Sequence, residues 1–275
     1  MSIIVKDGNS ADKYYQTIEE GNTTNPFQSV VPDYKLAHAQ NAIFESFGDT
    51  VSIWEKGKVL VKFGRNEDLD TGVRETIWET GGIETLKTAN DIDIVVSTDA
   101  GDTQEIVIEG HTISGSDLTF VIQTLTLNGT TNVSLTTPLA RVSRLYNNDS
   151  TDFAGDVTVE DNGTSVHITV RGTNGLNQSE KCATSLSSSD YWIITGIAAG
   201  VTGSVSATVK FELQVKEAGK VWRTQYAFNS STYTEVKGDE YIIVKPNSDV
   251  RIVGTSGTNN TEAIAAIRGY LAIIT

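Results

Sequence analysis

The stretch "GDVTVEDNGTSVHITVRG" (155–172) decides how the rest of the chain is read. On either side of Asn162-Gly163, apolar and polar residues alternate with a period of two. That spacing puts Val157 and Val159 on one face of an extended segment and their polar neighbours on the other. Asn-Gly tolerates positive φ at both central positions of a type I′ turn, whose twist matches that of paired strands. The segment therefore predicts a β-hairpin. In "TLTLNGTTNVSL" (124–135), Asn128-Gly129 is placed for the same kind of turn.

The same grammar holds outward from this hairpin. "DIDIVVS" (91–97), "TQEIVIEGH" (103–111) and "ARVSRLY" (140–146) are short apolar-alternating runs bounded by Gly, Asn, Asp or Ser. "ATVKFELQV" (207–215) alternates over Val209, Phe211, Leu213 and Val215, with "KVWRTQYAF" (220–228) as its expected partner. "IRGYLAII" (267–274) reads as a closing strand with Ile267, Tyr270, Leu271 and Ile273 in the core. The 275 residues include 24 glycines and only 4 prolines, which favours many strands joined by turns over long helices. The expected fold class is all-β, with one or two β-sandwich or jelly-roll-like units. A polar, Gly/Asn-rich break at "RGTNGLNQSEK" (171–181) divides them into a first unit over 50–171 and a second over 172–275.

Ahead of these units, residues 1–49 read as an extended N-terminal arm and a short helix. In "PDYKLAHAQNAIFESFGD" (32–49), Leu36, Ala39, Ile43 and Phe47 recur at helical spacing. Pro32 and Asp33 suit the start of the helix and Gly48 its end. The arm is too polar to order by itself and suits docking onto a neighbour. "TVSIWEKGKVLVKFG" (50–64) reads as a hairpin around Lys56-Gly57-Lys58, with Val51, Ile53, Val59, Val61 and Phe63 facing one way.

Composition excludes several function classes. Thirty-five acidic against 21 basic residues give a net charge of −14, and no basic run with interleaved aromatics occurs, so no direct nucleic-acid partner is expected. No basic start followed by an apolar segment, and no run of about 18 apolar residues, predicts a soluble chain made in a cytoplasm, with no membrane partner. Cys182 is the only cysteine, which rules out a disulfide framework and reads as a buried structural thiol. Nucleotide-binding glycine motifs, a nucleophile elbow and a zinc-protease helix motif are all missing. His38, His111 and His167 have no metal-ligand spacing, and Glu75, Glu79, Asp91 and Asp93 read as solvated faces of strands and turns. No catalytic residue and no cofactor is expected.

One stretch does resemble a site: "KFGRNEDLDTGVRETIWETGG" (62–82). Asn66, Asp68 and Asp70 occupy the first, third and fifth places of a calcium loop. However, Thr71 stands where the sixth-position glycine belongs and Ile77 where the bidentate Glu belongs. Metal binding completed by backbone carbonyls stays open for these three residues. The other reading is a connector in which Asn66, Asp68 and Asp70 bond backbone amides, with unusual dihedrals at Gly64 and Gly72.

"KFGRNEDLDTG" followed by "IWETGG", then "TLTLNGTTNV" (124–133) and "ARVSRLYN" (140–147), resembles a family of virion structural proteins of tailed bacteriophages. The likeness is good over about residues 59–147 and holds only in pattern elsewhere. It implies a non-enzymatic, β-rich virion component made in the host bacterial cytoplasm. On that reading the chain is a capsid cement or decoration protein that forms a homo-oligomer, a trimer among the options, and contacts the major capsid protein. The alternative is a tail fibre or spike-like protein that recognises a host-surface glycan through exposed Trp192, Trp222, Tyr226 and Tyr233.

Overall fold

The computed structural model describes residues 58–172, 175–202 and 207–273. The arm and helix expected over 1–49, with His38, and the first half of the hairpin expected over 50–64 lie outside these residues. The described residues are all-β, without an α-helix, and every pairing between named strands is antiparallel.

In chain order the strands are β1 (Lys58–Leu69), β2 (Arg74–Thr76), β3 (Ile92–Ser97), β4 (Glu105–Ser114), β5 (Asp117–Thr126), β6 (Val133–Leu139), β7 (Arg141–Asn147) and β8 (Val157–Asp161). They continue with β9 (Ser165–Val170), β10 (Ala183–Ser185), β11 (Asp190–Thr202), β12 (Val209–Lys216), β13 (Arg223–Ser230), β14 (Thr234–Val244), β15 (Asp249–Ser256) and β16 (Thr261–Ile273).

These strands build two sandwich-like pairs of sheets, each around its own core. In the first pair, the sheet β1-β16-β11-β14 faces the sheet β10-β15-β12-β13, with β2 paired to β15. Trp192, Ile197 and Ile267 of the one sheet meet Phe211, Leu213 and Ile252 of the other in a shared core. In the second pair, β6-β3-β8-β9 faces β5-β4-β7, and Val95, Val159 and Ile168 pack with Ile106, Ile108 and Leu145. Deeply buried side chains of this size each contribute about 1.5–3 kcal/mol when withdrawn from water.

The 155–172 hairpin forms as read: β8 pairs with β9, and Asn162 and Gly163 both have positive φ (44° and 71°). The second expected hairpin does not form. At Asn128-Gly129 only Gly129 has positive φ, and the chain crosses from β5 in one sheet to β6 in the facing sheet. The side chain of Gln123 bridges that corner in place of a ladder, donating from Nε2 to Thr137 O (3.0 Å) and accepting from Thr137 N–H (3.1 Å).

The boundary expected at 171/172 needs correcting. β1 and β2 precede the second pair of sheets in sequence but belong to the first. Lys58 pairs opposite Leu271, and Thr76 opposite Val253. Residues 92–170 are therefore an insertion between β2 and β10, joined to the first pair of sheets through residues 77–91 and 171–182. Alternation reports which residues share a face, but not which distant strand will pair with them.

Val59, Val61 and Phe63 of β1 share one face as expected, and that face is turned outward. Leu60, Lys62, Gly64 and Asn66 turn inward, whereas Val59, Val61 and Phe63 form an outward row. The inward choice is forced at Gly64. There the backbone lies so close to its neighbours that a Cβ would stand 2.2 Å from Ile77 O and 2.3 Å from Cys182 N. No rotamer change relieves a clash with backbone.

Replacing Gly64 with Ala should therefore lower unfolding free energy by about 2–3 kcal/mol, or prevent folding. Ile122→Ala, on an exposed position of β5, should change it by less than about 0.5 kcal/mol. Urea titrations of the two variants measure the difference.

Candidate functional site

The stretch 62–82 runs along β1, turns, and returns as β2 alongside β15. Asn66 is buried and works in both directions. Its Oδ1 accepts the Asp68 N–H (2.9 Å), while its Nδ2 donates to Thr76 O (3.1 Å) and to Glu75 Oε2 (3.3 Å). The carboxylate of Glu75 is the hub of the turn. It also accepts N–H bonds from Asp70 (2.8 Å) and Gly82 (2.8 Å). The Trp78 indole N–H donates to Gly81 O (2.8 Å) and Gly82 O (3.1 Å), closing the loop on itself.

Of the three metal candidates, Asn66 points inward, whereas Asp68 and Asp70 are exposed. The three do not converge, and no group of three or more His, Cys, Asp or Glu suited to a metal ion occurs among the described residues. Sequence reading missed Glu75 and Glu79. Both were expected to be solvated, and both are buried. The expected dihedral role holds at Gly72 (φ 71°), while Gly64 serves close packing instead.

Behind this turn lies a band of buried charge between the two cores. Lys62 of β1 donates to Ser143 O of β7 (2.5 Å), and burial holds its ammonium down to a pKa of about 8. Lys181 donates to Glu84 (2.6 Å), Val142 O (2.8 Å) and His167 O (3.1 Å), and its ammonium lies 5.1 Å from the centre of the Trp78 ring. Arg141 of β7 forms a two-pronged pair with Asp249 of β15 (2.7 and 3.3 Å), and Asp249 also accepts the Ser185 hydroxyl (2.6 Å). Arg251 donates to Glu84 O (3.2 Å) and stacks on Trp222 at 3.9 Å. The insertion is thus tied to the first pair of sheets by groups that are out of water only while the two are joined.

Cys182 sits in the same band, fully buried, and burial raises its thiol pKa far above the usual range. Such a thiol is not a nucleophile at neutral pH. His111 lies within β4, edge-on to Phe120 at 5.3 Å. His167 lies 3.8 Å from Asp161. Burial lowers both imidazoles to about 4, and for His167 the nearby Lys181 adds to the effect. Beneath Trp78, Glu79 accepts the Glu180 N–H (3.2 Å), and its own carbonyl accepts from Arg171 (3.1 Å). Burial raises the Glu79 carboxyl to about 8, against the opposing pull of the Glu180 N–H bond.

The four aromatics considered for stacking on a sugar separate. Trp192 is entirely in the core, and Trp222 is half-buried beneath Arg251. Tyr226 and Tyr233 are exposed.

No family model matches the chain, and neither does any curated protein. Among solved structures, the vicilin from Solanum melongena shares 7% identity with it over 78% of this chain and 75% of that one. The TM-score of 0.10 is too low to carry any argument.

The titration of the buried groups sets the pH dependence of stability. His111 and His167 stay neutral in the fold, so their contribution is fully present above about pH 6.5 and is lost as pH falls toward 4. Glu79 acts with the opposite sign. Its folded pKa is raised, so its contribution is fully present below about 4.5 and is lost as pH rises through 8. Denaturant midpoints should therefore fall below pH 6.5. Glu79→Gln should gain stability relative to wild type as pH rises from 4.5 to 8, on the order of 1–2 kcal/mol near pH 7.5. A pH-independent difference between the two proteins would contradict the assignment.

Proposed function

We propose that this protein is a non-enzymatic structural component of a bacteriophage virion, a capsid cement or decoration protein built from two sandwich units of jelly-roll type. The observation that carries the reading is the use made of the signature stretch 62–82. Its polar side chains are taken up in holding the turn and the seam: Asn66 and Glu75 bind backbone, Trp78 closes the loop, and Glu79 clamps the segment after the insertion. A motif with that role marks a scaffold. It fits the resemblance of the same residues to tailed-phage virion proteins.

The strand-rich build also fits a particle component, because long-range ladders such as β1 with β16 resist local opening. The acidic charge of −14 keeps such a protein from adhering to packaged nucleic acid. The polar N-terminal sequence, expected to order only on a neighbour, supplies the contact with the major capsid protein. The tail-fibre alternative keeps Tyr226 and Tyr233 as stacking candidates, since Trp192 is in the core.

Removing residues 1–32 should abolish binding to capsids while the far-ultraviolet circular dichroism of the β region stays unchanged. Normal capsid occupancy by the shortened protein, scored by cryo-electron microscopy of decorated particles, would sink the proposal. Density for the intact protein on the tail instead of the head would favour the alternative.

A further inference from the structure

The triplet Asn-Gly-Thr occurs at 128–130 and again at 162–164, with the same local chemistry in unlike surroundings. In an Asn-Gly pair the backbone nitrogen of the glycine can attack the side-chain amide of the asparagine, because no Cβ shields it. A third pair, Asn174-Gly175, begins on a residue outside the described ones.

At Asn128-Gly129 the reacting groups are locked. The Gly129 N–H donates to Asp102 O (2.8 Å), and the Asn128 carbonyl accepts the Thr131 N–H (3.0 Å). Gly129 is buried so tightly that a Cβ there would stand 2.6 Å from Ala100 O. Attack at this pair requires opening the corner between the two facing sheets.

At Asn162-Gly163 the turn is held only from its flanks. The Thr164 N–H donates to Asp161 O (2.8 Å), the Ser165 N–H to the Asp161 carboxylate, and the Asn162 N–H to Asp93 Oδ1 (2.9 Å). Among the described residues, neither the Asn162 side chain nor the Gly163 N–H has a hydrogen-bond partner. Both residues are exposed, and a Cβ at Gly163 would meet nothing nearer than Glu160 Oε2 at 4.0 Å. The groups that must meet are therefore free to do so while the strands on either side stay paired.

We propose that Asn162 is a site of spontaneous deamidation, a one-way modification that reaches the seam through Asp161. The Gly163 nitrogen bonds to Cγ of Asn162, its proton leaves with the displaced side-chain nitrogen as ammonia, and a cyclic imide remains. Water then opens the ring. Attack at Cγ leaves an aspartate in the original chain, whereas attack at the backbone carbonyl leaves an isoaspartate, whose main chain runs through Cβ and Cγ. Nothing is oxidised or reduced. Either product sets a new carboxylate beside Asp161, Glu160 and Asp93. The isoaspartate also lengthens the turn that fixes Asp161, and Asp161 holds Lys87 of the 77–91 junction. The seam loosens as the protein ages.

Tryptic peptide mapping by mass spectrometry reads each site separately. Cleavage at Lys87, Arg141, Arg144 and Arg171 puts Asn128, Asn162 and Asn174 on different peptides. When the purified full chain is incubated at pH 8, conversion should be at least about tenfold faster at Asn162 than at Asn128, because Gly129 reacts only after local opening. In urea the two sites should convert at similar rates. Equal conversion at both sites of the folded protein, or faster conversion at Asn128, would overturn the proposal. So would an intact Asn162 over a period in which the unfolded chain converts, or a tenfold preference that persists in urea. The isoaspartyl fraction, separated by chromatography, should unfold at lower urea than the unmodified chain. An unchanged midpoint would overturn the link to the seam.

Discussion

Arg141 and Asp249 face each other out of water between two hydrophobic cores, and the rest of the architecture depends on that pair staying dry. Arg141 comes from the insertion and Asp249 from β15 of the first pair of sheets. Neither can be solvated without separating the two. Taking one partner away from a buried ion pair typically costs about 3–5 kcal/mol, because the other is left as an uncompensated charge. Lys62 and Lys181 repeat the arrangement on either side, each ending on backbone carbonyls of the insertion, Ser143 O for the one and Val142 O and His167 O for the other. A seam of this kind is specific more than it is strong. Apolar contact would let the units slide, whereas each of these donors has its acceptor in one place.

That constraint explains the signature stretch. β1 must carry Lys62 inward to Ser143, pass under Ile77 and Cys182 at Gly64, and then turn back as β2. Glu75 holds the turn by gathering three N–H donors from the loop around it. The candidate metal loop and the candidate connector shared the same residues. The geometry differs from both in its detail, because the organising carboxylate is Glu75, and the amides of Asp68 and Asp70 are donors while their side chains face water.

Local order was legible in the sequence wherever a single strand or turn determines its own geometry. The alternation of Val209, Phe211, Leu213 and Val215 gave a buried row, and Asn162-Gly163 gave its turn. What could not be read depended on partners far along the chain. Nothing near residue 58 shows that it pairs opposite Leu271, so local pattern alone groups β1 with the strands that follow it in sequence. Asn128-Gly129 has the same chemistry as Asn162-Gly163, but its flanking strands lie in different sheets. Glu75, Glu79 and Lys62 read as surface residues because burial of a charge depends on a counterpart that the local sequence does not contain. The outward row of Val59, Val61 and Phe63 was visible as a face, but only the fold shows which way it turns.

The seam makes the insertion and the first pair of sheets one cooperative unit in spite of their separate cores. Differential scanning calorimetry of the intact protein at neutral pH tests it directly. The account predicts a single endotherm whose calorimetric and van't Hoff enthalpies agree. Two resolved endotherms, one for each core, would contradict it.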